Sequence, residues 1–120
     1  MVLRNDANEI LLREDRGRVA VLTLNRPEAR NALSEEMLGA LQTAFDDIRD
    51  DAGIHVVVLG ANGPGVCAGQ DIREVLDHHN RDYYDALFAR CSKMMTTIKQ
   101  LPVPVIGAVQ GAAMGAGAQL

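Results

Sequence analysis

The chain opens on two short runs of β-type residues. Glu9 to Arg13 and Val19 to Asn25 read as strands, with Asp15-Arg16-Gly17 as the turn that folds them into a hairpin. Val19, Val21 and Leu22 to Leu24 give the second strand its character, and Arg26-Pro27 ends it. From Ser34 the apolar period lengthens to that of a helix. Met37, Leu41, Ala44, Phe45 and Ile48 fall on one face, Ser34 sits where an N-cap belongs, and Glu35 and Glu36 suit the positive end of the dipole. Asp50-Asp51-Ala52-Gly53 breaks this helix. His55 to Leu59 is a compact apolar strand of the kind buried on both faces in a parallel sheet.

After the glycine-rich loop Gly60 to Gly69, the pattern predicts a short helix from Asp71 to Leu76 and a longer one from Arg81 to Gln100. Tyr84, Leu87, Phe88, Cys91, Met95 and Ile98 form the apolar face of the longer helix. Pro102 and Pro104 stop it and lead into a strand from Val103 to Val109. A second glycine-rich stretch, Gly111 to Gly117, leads toward another helix. The order β-β-α-β-α-β-(α) is an α/β pattern with crossover connections. The last helix has only begun at Gln119-Leu120, so residues 1–120 are expected to be the N-terminal portion of one domain that continues.

Composition narrows the class of function. At 120 residues, 48% hydrophobic and 23% charged, the chain suits one globular domain or part of one. A net charge of −4 gives no reason to expect DNA, RNA or an anionic membrane as partner. No apolar run is long enough to span a bilayer, and Met1 to Ile10, with Asp6 and Glu9, lacks the apolar core of a signal peptide. Cys67 and Cys91 form neither a disulfide framework nor a metal-ligand spacing. They fit free thiols in a reducing cytoplasm, and no metal is expected.

Two loops carry the candidate chemistry, because each follows a strand and precedes a helix. They are Gly60 to Asp71 and Gln110 to Gln119. In α/β sheets ligands bind at the carboxyl ends of strands, where such loops gather. Small residues let a ligand approach the backbone, and helix N-termini offer unpaired N–H groups. Either loop alone reads as a turn; two such N–H groups aimed at one point would form an oxyanion hole.

Other residues have plainer readings. Cys67 could be a nucleophile, but a small thiol in a tight apolar loop packs, and no histidine is near it in sequence. His78-His79 reads as a solvated pair rather than a metal site, since adjacent side chains point apart. Arg26, Arg30 and Arg73 are surface arginines that could reach a phosphate. The Met94-Met95 and Tyr83-Tyr84 pairs read as core. Gly115-Ala116-Gly117 lacks the third glycine of a dinucleotide fingerprint.

Three blocks taken in order carry a family resemblance. They are Asn25-Arg26-Pro27-Glu28-Ala29-Arg30-Asn31-Ala32-Leu33, then Cys67-Ala68-Gly69-Gln70-Asp71-Ile72, then Pro102-Val103-Pro104-Val105-Ile106 with Gly111 and Gly115-Ala116-Gly117. Together they resemble the signature blocks of the crotonase superfamily of enoyl-CoA hydratases and isomerases. Ser92-Lys93-Met94-Met95 and the Ala-Gln-Leu ending are similar to the enoyl-CoA hydratase domain-containing protein 3 type.

The resemblance implies the N-terminal part of a crotonase-like ββα spiral that binds an acyl-CoA thioester. Coenzyme A enters as part of that substrate, and no cofactor is covalently bound. The N–H groups of Gln70 and Ala116 would hold the thioester oxyanion. Glu28, Ala29, Arg30, Cys67, Ala68, Gly69, Asp71, Ile72, Arg73 and Gly115 would lie along the CoA. A homotrimer or a hexamer is the implied assembly.

Two positions depart from the pattern. Family members often carry glycine at 116, but alanine supplies the same N–H. Hydratases usually carry a catalytic glutamate where Gln119 stands, and an amide cannot exchange a proton near neutral pH. Gln119 therefore favours a catalytically silent acyl-CoA-binding protein over an acyl-CoA lyase or isomerase, and a second carboxylate about one helix and loop past position 120 would support the chemistry. A nucleotide-binding α/β domain is the third reading.

Overall fold

The structure, a computed structural model, describes residues 2–3, 9–78 and 80–120. The reading of Met1 to Ile10 as free of a targeting segment, and His79 of the histidine pair, fall partly or wholly outside those residues. Among the described residues five strands form one sheet in chain order: β1 (Val2–Leu3), β2 (Leu11–Arg16), β3 (Val19–Leu24), β4 (Val56–Ala61) and β5 (Val105–Gly107). The first two pairings are antiparallel; β3–β4 and β4–β5 are parallel. Between and after the strands lie α1 (Glu35–Arg49), α2 (Ile72–Asp77), α3 (Arg81–Gln100) and the single turn α4 (Ala116–Gln119).

The hairpin forms as the β-type runs predict, but its turn is shifted. Asp15 and Arg16 pair with Ala20 and Val19 in the ladder, so the turn is Gly17-Arg18. Gly17 has φ +61 and Arg18 is not in the left-handed region, the arrangement of a two-residue type II′ turn. The short strand β1 has no counterpart in the sequence reading. Ser34 caps α1 as expected, its Oγ accepting the Met37 N–H at 3.1 Å. Met37, Leu38, Leu41, Phe45 and Ile48 are the buried face of α1.

These residues meet Leu11, Leu22, Leu24, Val57 and Leu59 from the sheet and Leu87, Cys91 and Met94 from α3 in one core. The helices therefore cover one face of the sheet. Val57 and Leu59 are buried while Val56 and Val58 are half-buried, so β4 is not enclosed on both faces as its composition predicts. The β3, β4 and β5 strands run parallel, which delivers the segments that follow them to the same end of the sheet.

The limits of α3 agree with the sequence reading; its buried face does not. Leu87, Cys91, Met94 and Thr97 are buried, Met95 and Ile98 are half-buried, and Phe88 is 48% exposed. The core lies along the 87–91–94 stripe because that line faces α1, and Phe88 falls one position round from it. The strand predicted from Val103 to Val109 shrinks to β5, whose Val105 to Gly107 are in register with Val57 to Leu59, with flanking bonds at Pro104 O and the Ala108 N–H. Val109 is 70% exposed.

Candidate functional site

The site begins with the bend that follows β3. Pro27–Ala29 form one 3-10 turn, and Arg30 and Asn31 then both adopt left-handed backbone, each with φ +54. Asparagine tolerates that region better than most side chains. Asn31 is buried; its Oδ1 accepts the Arg26 N–H at 2.7 Å, and its Nδ2 donates to the carbonyls of Asn62 and Val66 at 3.0 Å each. The loop after β4 thus lies against the bend. Ala68 N–H donates to Arg30 O at 3.0 Å and Leu33 N–H to Gly69 O at 2.7 Å.

The loop after β5 is laid on the loop after β4, backbone on backbone. Val66 N–H donates to Ala112 O at 2.8 Å, and Met114 N–H to Cys67 O at 3.0 Å. Such approach needs residues without side chains at the crossing points. A Cβ at Gly111 would collide with Pro64 O, and one at Gly117 with Cys67 O. Gln110 fastens the entrance: its Nε2 faces the carbonyls of Ala61, Gly63 and Gly65 at 2.9 to 3.1 Å.

The two predicted oxyanion donors come out of this crossing side by side. Leu33 bridges in parallel to Gln70, bonding the Gly69 carbonyl and the Asp71 N–H, so the Gln70 N–H itself points away from Leu33. Ala116 is the first residue of α4, where an N–H has no partner within the helix. Among the described residues no acceptor takes either N–H. The two peptides are neighbours: a Cβ on Gly69, whose φ is +92, would stand 3.3 Å from the Ala116 nitrogen and 2.9 Å from Met114 O. A side chain at position 69 would therefore crowd the Ala116 amide. Gln119 ends α4 with an exposed side chain.

Most of the residues expected along a CoA group line two clefts that share Arg30. Glu28, Ala29, Arg30, Asp71, Ile72 and Arg73 line one of about 290 Å³. Arg30, Cys67 and Ala68 contribute to the other, also about 290 Å³. Gly69 is buried behind them, and Gly115 is the N-cap of α4 with φ +55. The Asp71 carboxylate is occupied by structure, capping α2 through the Arg73 and Glu74 N–H groups and pairing with Arg26 at 3.3 Å. Arg26 lines the same cleft with one guanidinium nitrogen held by Asp71, while Arg30 and Arg73 are exposed there.

A larger cavity of about 730 Å³ lies between β2 and α1, lined by Ile10, Leu11, Arg13, Ala40 and Ala44 among others. It contains none of the candidate residues. Its Arg13 is already held by Asp15 at 2.9 Å and Asp51 at 3.7 Å. Size alone does not make it the site.

The thiols are structural. Cys67 Sγ donates to Asn31 O at 3.1 Å and accepts from the Gly69 N–H at 3.4 Å. Burial pushes this thiol up, with the Gly69 N–H pulling the other way, so the reactive thiolate is disfavoured. Burial also raises Cys91, against a hydrogen bond from the Gln70 side chain. His78 stacks on Tyr83 with ring centroids 4.2 Å apart. Among the described residues no group of three His, Cys, Asp or Glu side chains could hold a metal ion, and no helix is long and apolar enough to cross a membrane.

Comparison with known proteins agrees with this arrangement. A sequence profile of the enoyl-CoA hydratase/isomerase family matches residues 19–120. Enoyl-CoA hydratase domain-containing protein 3, mitochondrial, of Danio rerio is 37% identical over 120 residues, all of this chain and 42% of that protein. The Homo sapiens counterpart is 40% identical over 99 residues, 82% of this chain and 33% of that protein. The crystal structure of enoyl-CoA hydratase from Mycobacterium smegmatis superposes with a TM-score of 0.93 at 48% identity, covering 94% of this chain and 44% of that one. That of human enoyl-CoA hydratase domain-containing protein 3 gives 0.88 at 35% identity, covering 93% and 44%. This chain spans 33–42% of the length of these two relatives and corresponds to part of the crotonase fold. On the profile match, the superposition and the crossing of its two glycine loops, the chain belongs to the enoyl-CoA hydratase/isomerase family.

Proposed function

We propose that the intact protein binds an acyl-CoA thioester and stabilises its enolate oxyanion between the N–H groups of Gln70 and Ala116, as an enoyl-CoA hydratase/isomerase-type lyase of fatty acid metabolism. One observation carries the reading: two unbonded backbone N–H groups from separate βα crossings stand next to each other behind a glycine. Charge builds on the thioester oxygen as the enolate forms, and preorganised donors stabilise that charge without reorganising. The clefts around Arg30 would take the CoA portion, with Arg30 and Arg73 available to its phosphates. Coenzyme A comes and goes with the substrate. A homotrimer or hexamer in the cytoplasm, where Cys67 and Cys91 stay reduced, completes the proposal; several vertebrate relatives are named as mitochondrial proteins.

The second reading, a catalytically silent acyl-CoA-binding protein, is favoured by Gln119. Its side-chain amide is exposed on α4 and cannot move a proton near neutral pH. Retention of the intact protein on immobilised CoA, set beside hydration of crotonyl-CoA, separates the two. Retention with slow hydration that Gln119→Glu raises about 10²- to 10⁴-fold supports the enzyme with one acid/base group missing. Retention with no hydration in either form supports the silent binder, and no retention contradicts both.

A further inference from the structure

We infer that Asn31 is a positioning residue for the oxyanion amide of Gln70, holding the loop after β4 at the height its N–H needs; this rests on the acyl-CoA reading above. The side chain of Asn31 joins two segments, the bend after β3 and the loop after β4, beyond the point where the β3–β4 ladder ends at Leu24 and Ala61. It accepts from the Arg26 N–H at 2.7 Å, and both Nδ2 hydrogens are used, on Asn62 O and Val66 O at 3.0 Å. Its carbonyl takes the Cys67 thiol at 3.1 Å. From there the segment runs to Gln70 against residues 30–33, through Ala68 N–H to Arg30 O at 3.0 Å and Leu33 N–H to Gly69 O at 2.7 Å. Gln70 is thus placed by a continuous ladder whose first rungs are the two bonds from Asn31 Nδ2.

Few residues can do this. The position has φ +54 and is 1% exposed, so it needs a short polar side chain that tolerates left-handed backbone and leaves no buried polar atom unpaired. It must present one acceptor and two donors at once. Aspartate has the shape but no donors, serine has one donor, glutamine is a methylene too long, and glycine brings only the backbone.

Asn31→Asp in the intact protein is the test. The variant keeps the bond from Arg26 and turns two donors into lone pairs facing carbonyls. The expected result is amide hydrogen exchange at least about tenfold faster across residues 62–71 than in the native protein, with α1 and α3 unchanged. For crotonyl-CoA, kcat should fall about 10- to 100-fold while KM moves less than about threefold, since the loop carries the donor more than the binding surface. Native-like exchange at 62–71 in the folded variant overturns the inference. So does faster exchange with native kcat, which would leave Asn31 as part of the scaffold only. If Asn31→Asp does not fold, Asn31→Gly carries the same measurements, because it keeps the backbone conformation without the repulsion. If the native protein itself turns over no enoyl-CoA, the catalytic reading fails on that result while acyl-CoA binding stands or falls by retention on immobilised CoA, and the exchange experiment still decides whether Asn31 sets the loop.

Discussion

Position 69 requires glycine for two separate reasons, and both concern the site. Its φ of +92 lies outside the range of ordinary side chains, and a Cβ there would press on Met114 O at 2.9 Å and cover the Ala116 nitrogen at 3.3 Å. Gly69→Ala should therefore cost about 1–3 kcal/mol of stability and abolish most turnover in the intact protein. Gly60→Ala is the control, because its Cβ would meet Ala108 at an ordinary 3.7 Å, and it should be close to neutral on both counts. Denaturant midpoints and crotonyl-CoA hydration rates check the pair; equal behaviour of the two variants would contradict the crossing geometry. The glycines of both loops were legible in the sequence as places of close backbone approach. Asn31 and Gln110 were not. Each acts through hydrogen bonds to carbonyls 31 to 49 positions away in sequence, and nothing in the local pattern records those partners.

At the scale of elements, periodicity located the helices well and oriented them less well. The Ser34 cap and the bounds of α3 follow from local chemistry, and the structure agrees with both. The face of α3 depends on where α1 lies, and an 87–88–91–95–98 stripe is nearly as periodic as the 87–91–94–97 stripe that is buried. The difference is measurable in the intact protein. Met94→Ala should destabilise by about 2–5 kcal/mol, as for a large side chain removed from a packed core. Phe88→Ser, at a position 48% exposed, should cost far less, near the ±0.5 kcal/mol of ordinary surface changes. Denaturant titration decides it, and a larger loss for Phe88→Ser would contradict the observed packing. The strand after Pro104 was overestimated for a related reason: β-type residues run to Val109, but the pairing edge of β4 takes only three of them.

For the molecule as a whole, the α/β class and the placement of the two glycine-rich loops at the carboxyl end of the parallel strands were legible, because strand–loop–helix order alone determines them. The surface was not, since exposure depends on what covers each face. Ile72, Leu76, Phe88, Ile106, Val109 and Met114 are all exposed, and β5 stands at the edge of the sheet. An apolar surface beside an open strand edge favours self-association. The 120-residue chain by itself should elute as dimers or larger species in size-exclusion chromatography with light scattering at micromolar concentration; a monodisperse monomer would count against this. The central claim is that a backbone donor at position 116 stabilises the reacting oxygen, and Ala116→Pro in the intact protein tests it most directly. Proline at the first position of α4 removes that N–H while leaving the helix start permitted. With circular dichroism confirming the fold, crotonyl-CoA turnover should fall about 10²- to 10³-fold, while Ala116→Gly stays near the native rate. A folded Ala116→Pro protein with native turnover would contradict the account.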